Sequence, residues 1–132
     1  MSKGVILVVD DHPTNLKLVA DLLAMEGYEI LRSIDAEEAQ EVLKSVQPDM
    51  ILMDIALPGM DGLTLTRLLK ADDRTKDIQI VALTSFAMKG DDVKAREAGC
   101  DGYITKPIDT RRLPLMIADL LDKRRAGSMG GE

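Results

Sequence analysis

Five residues carry the groups that could do chemistry, and they stand where apolar runs stop. Val5-Ile6-Leu7-Val8-Val9 ends at Asp10-Asp11, Met50-Ile51-Leu52-Met53 at Asp54, Ile80-Val81-Ala82-Leu83 at Thr84-Ser85, and Gly102-Tyr103-Ile104-Thr105 at Lys106-Pro107. Three carboxylates, a hydroxyl and an ammonium form an oxygen-rich set with no catalytic-looking cysteine or histidine beside it. Such a set suits a hard cation, because Mg²⁺ prefers carboxylate, carbonyl and water oxygens. Three ionised carboxylates and one lysine leave a net charge of -2, which one Mg²⁺ cancels. Two like charges about 4 Å apart cost on the order of 4 kcal/mol at an effective dielectric near 20. With the cation in place, Asp54 stays ionised and nucleophilic while an incoming phosphoryl group is screened. The predicted chemistry is phosphoryl transfer to a carboxylate.

Positioning these groups requires strands that end together. Short apolar runs bounded by turn residues read as strands buried on both faces of a parallel sheet. Tyr28-Glu29-Ile30-Leu31-Arg32-Ser33 is less apolar and reads as a strand nearer an edge. Between the strands lie helical patterns: Leu16, Val19, Ala20 and Leu23; then Ala39, Val42, Leu43 and Val46; then Leu65, Leu68 and Leu69. A weakly apolar helix is predicted over Gly90–Ala98, and Leu113, Met116, Ile117, Leu120 and Leu121 mark the last. Pro13 suits a first helical turn, Gly27 and Gly99 suit helix stops, and Asp35 with Glu38 resembles a capping box. Gly62 is expected to supply an unusual backbone angle after the Pro58-Gly59 turn. Pro114 removes a donor, so the regular part of the last helix is expected to start near it, after an irregular turn from Asp109.

Five strands alternating with five helices predict a flavodoxin-like, doubly wound α/β fold with a five-stranded parallel sheet, (βα)5. Periodicity does not fix the strand order. The C-terminal strand ends of such a sheet lie along one edge, where open α/β sheets place ligands. One domain over residues 1–125 is expected, followed by a disordered tail over 126–132. The formal net charge of -6 argues against direct DNA or other general nucleic-acid binding, which needs a basic face. A single cysteine, Cys100, fits a reducing, cytoplasmic setting. No apolar run is long enough to insert in a membrane.

Taken together, Asp10-Asp11, Asp54 with Pro58-Gly59-Met60-Asp61-Gly62, Thr84-Ser85 and Lys106-Pro107 occur in the order and at the spacing of a known family. From about Val5 to Asp122 the chain resembles the receiver domain of two-component response regulators, in its small stand-alone form. The resemblance implies that Asp54 accepts a phosphoryl group from a sensor histidine kinase or a histidine phosphotransfer protein. It implies that Asp11 binds Mg²⁺ directly, Asp10 through water, with Asp54 and the backbone carbonyl of Ala56 completing the protein ligands. Lys106 is implied to pair with Asp54 or with a phosphoryl oxygen, Thr84 to be the switch hydroxyl, and Tyr103 the aromatic that follows it. The Lys106-Pro107 bond is implied to be cis. Such a protein is a phospho-acceptor and self-dephosphorylating switch, not a turnover enzyme. Its output is a surface of the fourth helix, fifth strand and fifth helix that contacts an unidentified downstream protein, or onward phosphotransfer.

Plainer roles exist for several of these residues. Asp10 and Asp11 could cap a helix, Asp54 a turn, and Tyr103 could simply pack with a wet hydroxyl. A lone loop histidine such as His12 reads as solvent-facing, and Mg²⁺ does not favour imidazole. Met25, Met50, Met53 and Met116 read as core packing. Ala56 and Phe86 depart from the common family pattern at places that tune dephosphorylation. Rival readings are a phosphorylation-independent adaptor and a Mg²⁺-dependent aspartate-nucleophile phosphatase. The second wants another Asp two residues after the first, where Ala56 stands. A flavodoxin-like binding module needs a phosphate loop after the first strand, and Asp10-Asp11 there would repel phosphate.

Overall fold

The computed structural model describes residues 3–84 and 91–130, with side chains omitted at 91–92 and 123–130. Five strands, β1 (Val5–Val9), β2 (Glu29–Ser33), β3 (Met50–Asp54), β4 (Gln79–Thr84) and β5 (Gly102–Thr105), form one parallel sheet. Their order is β2-β1-β3-β4-β5. The helices are α1 (Pro13–Met25), α2 (Ala36–Leu43), α3 (Gly62–Ala71), α4 (Asp91–Ala98) and α5 (Arg112–Gly130). This is the flavodoxin-like order, whose direction of winding reverses between β1 and β3. The strand ends flanking that reversal carry Asp10-Asp11 and Asp54.

Alternation along the strands sorts the core into two layers. Ile6, Val8, Met50, Leu52, Val81, Leu83 and Ile104 face α1 and α5, meeting Leu16, Val19, Leu23, Leu113, Ile117 and Leu121. Leu7, Val9, Ile51, Met53 and Ile80 face the other side, meeting Ala36, Ala39 and Leu43 of α2 and Leu65 and Leu69 of α3. Strand β2 lies at an edge and is only half buried.

Helix ends follow local chemistry. Asp35 accepts a hydrogen bond from Glu38 N at 2.8 Å, and Asp61 one from Thr64 N at 2.9 Å, so both act as N-caps. Gly27 and Gly99, with φ of 102° and 106°, take the left-handed turn that ends α1 and α4. Arg112 N and Leu113 N donate to Asp109 O, so Pro114 falls in the first turn of α5, where it breaks no helical hydrogen bond.

Several expectations need correction. Helix α2 stops at Leu43, because Lys44 N and Ser45 N bond three residues back. That tightening rotates Val46 out to solvent. In α3 the interior place belongs to Thr66, whose hydroxyl donates to Gly62 O at 2.8 Å, and Leu68 is exposed. Met25, nine residues after Leu16 and so on the opposite side of α1, is 83% exposed. The described backbone of α5 is helical through Gly130. Once a packed segment nucleates a helix, each further residue adds a hydrogen bond without needing tertiary contacts. Phe86 and Gly90 lie outside the described residues.

Gly62 is needed for space, not for its backbone angle; the positive φ of this turn is at Gly59, at 75°. A Cβ on Gly62 would stand 2.4 Å from the carbonyl oxygen of Asp54 and 2.8 Å from Ile55 Cα. Gly62→Ala is therefore expected to cost about 1–3 kcal/mol by overpacking the strand end that carries Asp54. Urea unfolding should show a lower midpoint with an unchanged slope. An unshifted midpoint would contradict this close approach.

Candidate active site

The same alternation that builds the α1/α5 layer brings the polar groups together. Asp10 continues the set Ile6 and Val8, Asp54 the set Met50 and Leu52, and Lys106 follows two residues after Ile104. All three emerge at the C-terminal edge of the sheet, after β1, β3 and β5. Asp10 and Asp54 are each 1% exposed. Lys106 Nζ donates to Asp10 Oδ2 and to Asp54 Oδ2, both at 2.9 Å.

The other carboxylate oxygens are held by the backbone. Ala56 N donates to Asp54 Oδ1 at 2.9 Å and His12 N donates to Asp10 Oδ1 at 2.9 Å. Each aspartate thus closes its own turn as well as facing the lysine. The turn-capping role raised for Asp54 from the sequence is present, since Ala56 N closes on its carboxylate. For Asp10 the plainer one takes a different form, since His12, not Asp10 or Asp11, occupies the N-cap place of α1. The Lys106-Pro107 peptide is cis.

Burial alone would push the Lys106 ammonium down, but its hydrogen bonds to Asp54 and Asp10 outweigh it and hold its pKa above the usual lysine value. The lysine therefore stays charged. It offsets one negative charge of the three carboxylates and leaves the other two uncompensated.

Asp11 is the odd member. Its Oδ1 is buried and accepts no hydrogen bond from the described residues. His12 Nδ1 lies 3.3 Å from that oxygen, without hydrogen-bond alignment. It also lies 3.2 Å from Asp10 Oδ1 and 3.9 Å from Asp54 Oδ2. One donor atom from each of Asp10, Asp11, His12 and Asp54 falls within a group spanning no more than 4.8 Å. An orphaned carboxylate oxygen among other carboxylates fits a hard divalent cation, since a buried unpaired acceptor is costly otherwise.

His12 was legible only as a solvent-facing residue, and at 59% exposure its side chain does reach water. Its ring nitrogen nonetheless turns toward the acids. Asp10, expected to help hold the cation through water, is buried and also accepts from Lys106.

Thr84 is buried at the end of β4, one residue beyond Leu83, the partner of Asp54 in the sheet. By alternation it continues Ile80 and Ala82, opposite to the layer of Asp54. Tyr103 pairs with Ala82 on the edge strand β5, two residues before the Thr105 that pairs with Thr84. It lines one groove with Arg96, Cys100 and Asp101 and another with Pro107, Ile108 and Met116. Burial holds the Cys100 thiol above its usual pKa. Among the described residues no helix is long and apolar enough to cross a membrane.

Over most of its length the chain is similar to known proteins. The model of the response regulator receiver domain family matches residues 6–118. The polar-differentiation response regulator DivK of Brucella anthropi is 44% identical over 107 residues, 81% of this chain and 87% of that protein. A CheY-like response regulator receiver domain protein from Methanospirillum hungatei superposes with a TM-score of 0.84 at 31% identity, covering 94% of this chain and 98% of that one. The receiver domain of the sensor histidine kinase PA1611 of Pseudomonas aeruginosa superposes with a TM-score of 0.82 at 30% identity, covering 90% and 98%. That structure has a magnesium ion coordinated in its active site cleft.

Proposed function

The chain belongs to the response regulator receiver domain family, and from that membership we propose that it is a DivK-like switch that takes a phosphoryl group on Asp54. The observation that carries this reading is the buried Asp54 carboxylate, held at one oxygen by Lys106 and at the other by a backbone N–H, beside Asp10 and Asp11. A carboxylate oxygen of Asp54 attacks the phosphorus of a phosphohistidine on a sensor histidine kinase or phosphotransfer protein. The new O–P bond forms as the P–N bond breaks, and the imidazole leaves.

Asp10, Asp11, Asp54 and the carbonyl of Ala56 are the residues suited to hold Mg²⁺. When bound, it supplies positive charge that screens the phosphoryl oxygens from the carboxylates. Lys106 orients Asp54 and supplies the second positive charge. Ala56 N, held on the carboxylate, keeps the reacting group from rotating away.

The acyl phosphate brings more negative charge and further acceptor oxygens to this edge. Thr84, one residue past the strand partner of Asp54, is the nearest switch hydroxyl by sequence and register. Its movement biases Tyr103 and the surface of α4, β5 and α5, shifting an equilibrium between two packings. That surface then engages a protein partner, or the phosphoryl group is passed on.

The test is incubation with acetyl phosphate and Mg²⁺, read by intact mass spectrometry. The expected result is a gain of one phosphoryl group, lost with EDTA and absent in Asp54→Ala. A protein that gains no adduct but still binds its partner would instead be a phosphorylation-independent adaptor. Steady release of phosphate from small phosphoesters would favour the phosphatase reading.

A further inference from the structure

Asp10, Asp11 and Asp54 are not the only donors that face the pocket. We propose that His12 is an additional ligand to the divalent cation, through Nδ1, and that it shifts the pocket's preference toward first-row transition ions such as Co²⁺. This rests on the proposed reading of the pocket as a cation site.

The backbone places His12 for this. It stands at the N-cap position of α1 with extended angles, φ -93° and ψ 109°, and its side chain caps nothing. Its own N–H is tied to Asp10 Oδ1, which fixes where the imidazole begins.

The spacing is that of neighbouring ligands. Around an octahedral ion with bonds of about 2.1 Å, adjacent ligand atoms lie about 3.0 Å apart and opposite ones about 4.2 Å. Nδ1 lies 3.2 Å from Asp10 Oδ1, 3.3 Å from Asp11 Oδ1 and 3.9 Å from Asp54 Oδ2. All three distances fall in or near that range. The Asp11 oxygen it faces is the one that accepts no hydrogen bond from the described residues, so a group between them has an acceptor waiting.

The chemistry sets the preference. Mg²⁺ takes oxygen ligands and gains little from imidazole, whereas Co²⁺, Ni²⁺ and Zn²⁺ bind it well. Coordination needs the tautomer with the proton on Nε2, on a side chain that is 59% exposed. The competing role is an Nδ1–H donated to Asp10 Oδ1. A hydrogen bond of that kind favours no metal over another.

The experiment titrates the whole protein and the His12→Ala variant with Co²⁺, followed by its visible absorption, and with Mg²⁺ by calorimetry. His12 caps nothing, and circular dichroism checks that the variant is folded. The proposal expects Co²⁺ affinity to fall at least about tenfold in the variant and its absorption bands to shift, with Mg²⁺ affinity changed by less than about twofold. Equal Co²⁺ affinity and identical spectra in the two proteins would overturn the ligand role while leaving the pocket's Mg²⁺ binding intact. If neither ion binds the unaltered protein, the cation site and the role of His12 fall together.

Discussion

With Lys106 replaced by methionine, the free energy of unfolding is expected to fall by about 3–5 kcal/mol at neutral pH without divalent cations. The side chains of Lys106, Asp10 and Asp54 are 8%, 1% and 2% exposed, so removing the ammonium strands two carboxylates that water hardly reaches. Methionine keeps most of the apolar stem, and the loss reports the charge. A second substitution, Asp54→Asn, should recover part of it by removing one stranded charge, a coupling that a double-mutant cycle isolates.

The pH dependence has a definite sign. The folded pKa of Lys106 is raised, so its contribution is fully present below the unfolded value of about 10.4 and is lost as pH rises through the folded value. The gap between the two proteins should therefore narrow only above about pH 10. Urea unfolding of both, from neutral to strongly alkaline pH, measures this. A neutral-pH difference below about 1 kcal/mol, the range of an exposed pair, would contradict the geometry.

The second large effect concerns the cation. Mg²⁺ at 100 times its dissociation constant should raise stability by about 2.7 kcal/mol if it binds only the folded chain. Asp11→Asn should weaken binding at least about tenfold, a difference of about 1.4 kcal/mol. In EDTA the same substitution should leave stability unchanged or higher. It removes one like charge from a cluster with two uncompensated charges and unburdens a buried oxygen that has no donor among the described residues. Opposite signs with and without Mg²⁺ distinguish a cation ligand from a structural carboxylate. A loss of stability in EDTA would assign Asp11 a purely structural role.

Most of the fold was written in local patterns. Val5–Val9, Met50–Met53 and Ile80–Leu83 read as buried strands from their short apolar runs and flanking turn residues, and the helical faces of α1 and α5 were read from their spacing. The convergence of Asp10, Asp54 and Lys106 was equally legible, because strand ends share an edge in a parallel sheet. Their common face follows from counting residues in twos.

What stayed hidden depended on neighbours. Strand order is set by which crossover packs on which face, and no single segment carries it. Leu68 matched a helical face that Thr66 filled instead, by bonding back to the preceding turn. Gly62 looked like a turn residue, yet its necessity is the approach of the Asp54 carbonyl from another element. His12 looked solvent-facing because exposure and inward orientation can coexist in one long side chain. The nearest local signal was its place directly after Asp10 and Asp11.

The central claim is that Asp54 itself takes the phosphoryl group, and locating that group tests it most directly. The protein is treated with acetyl phosphate and Mg²⁺, reduced with borohydride, digested and sequenced by tandem mass spectrometry. Reduction converts an aspartyl phosphate to homoserine and leaves free aspartates untouched. The account predicts homoserine at position 54, absent without Mg²⁺, with Asp10 and Asp11 unchanged. Homoserine at position 10 or 11 would contradict it, as would a protein that carries none when the same treatment labels a known receiver.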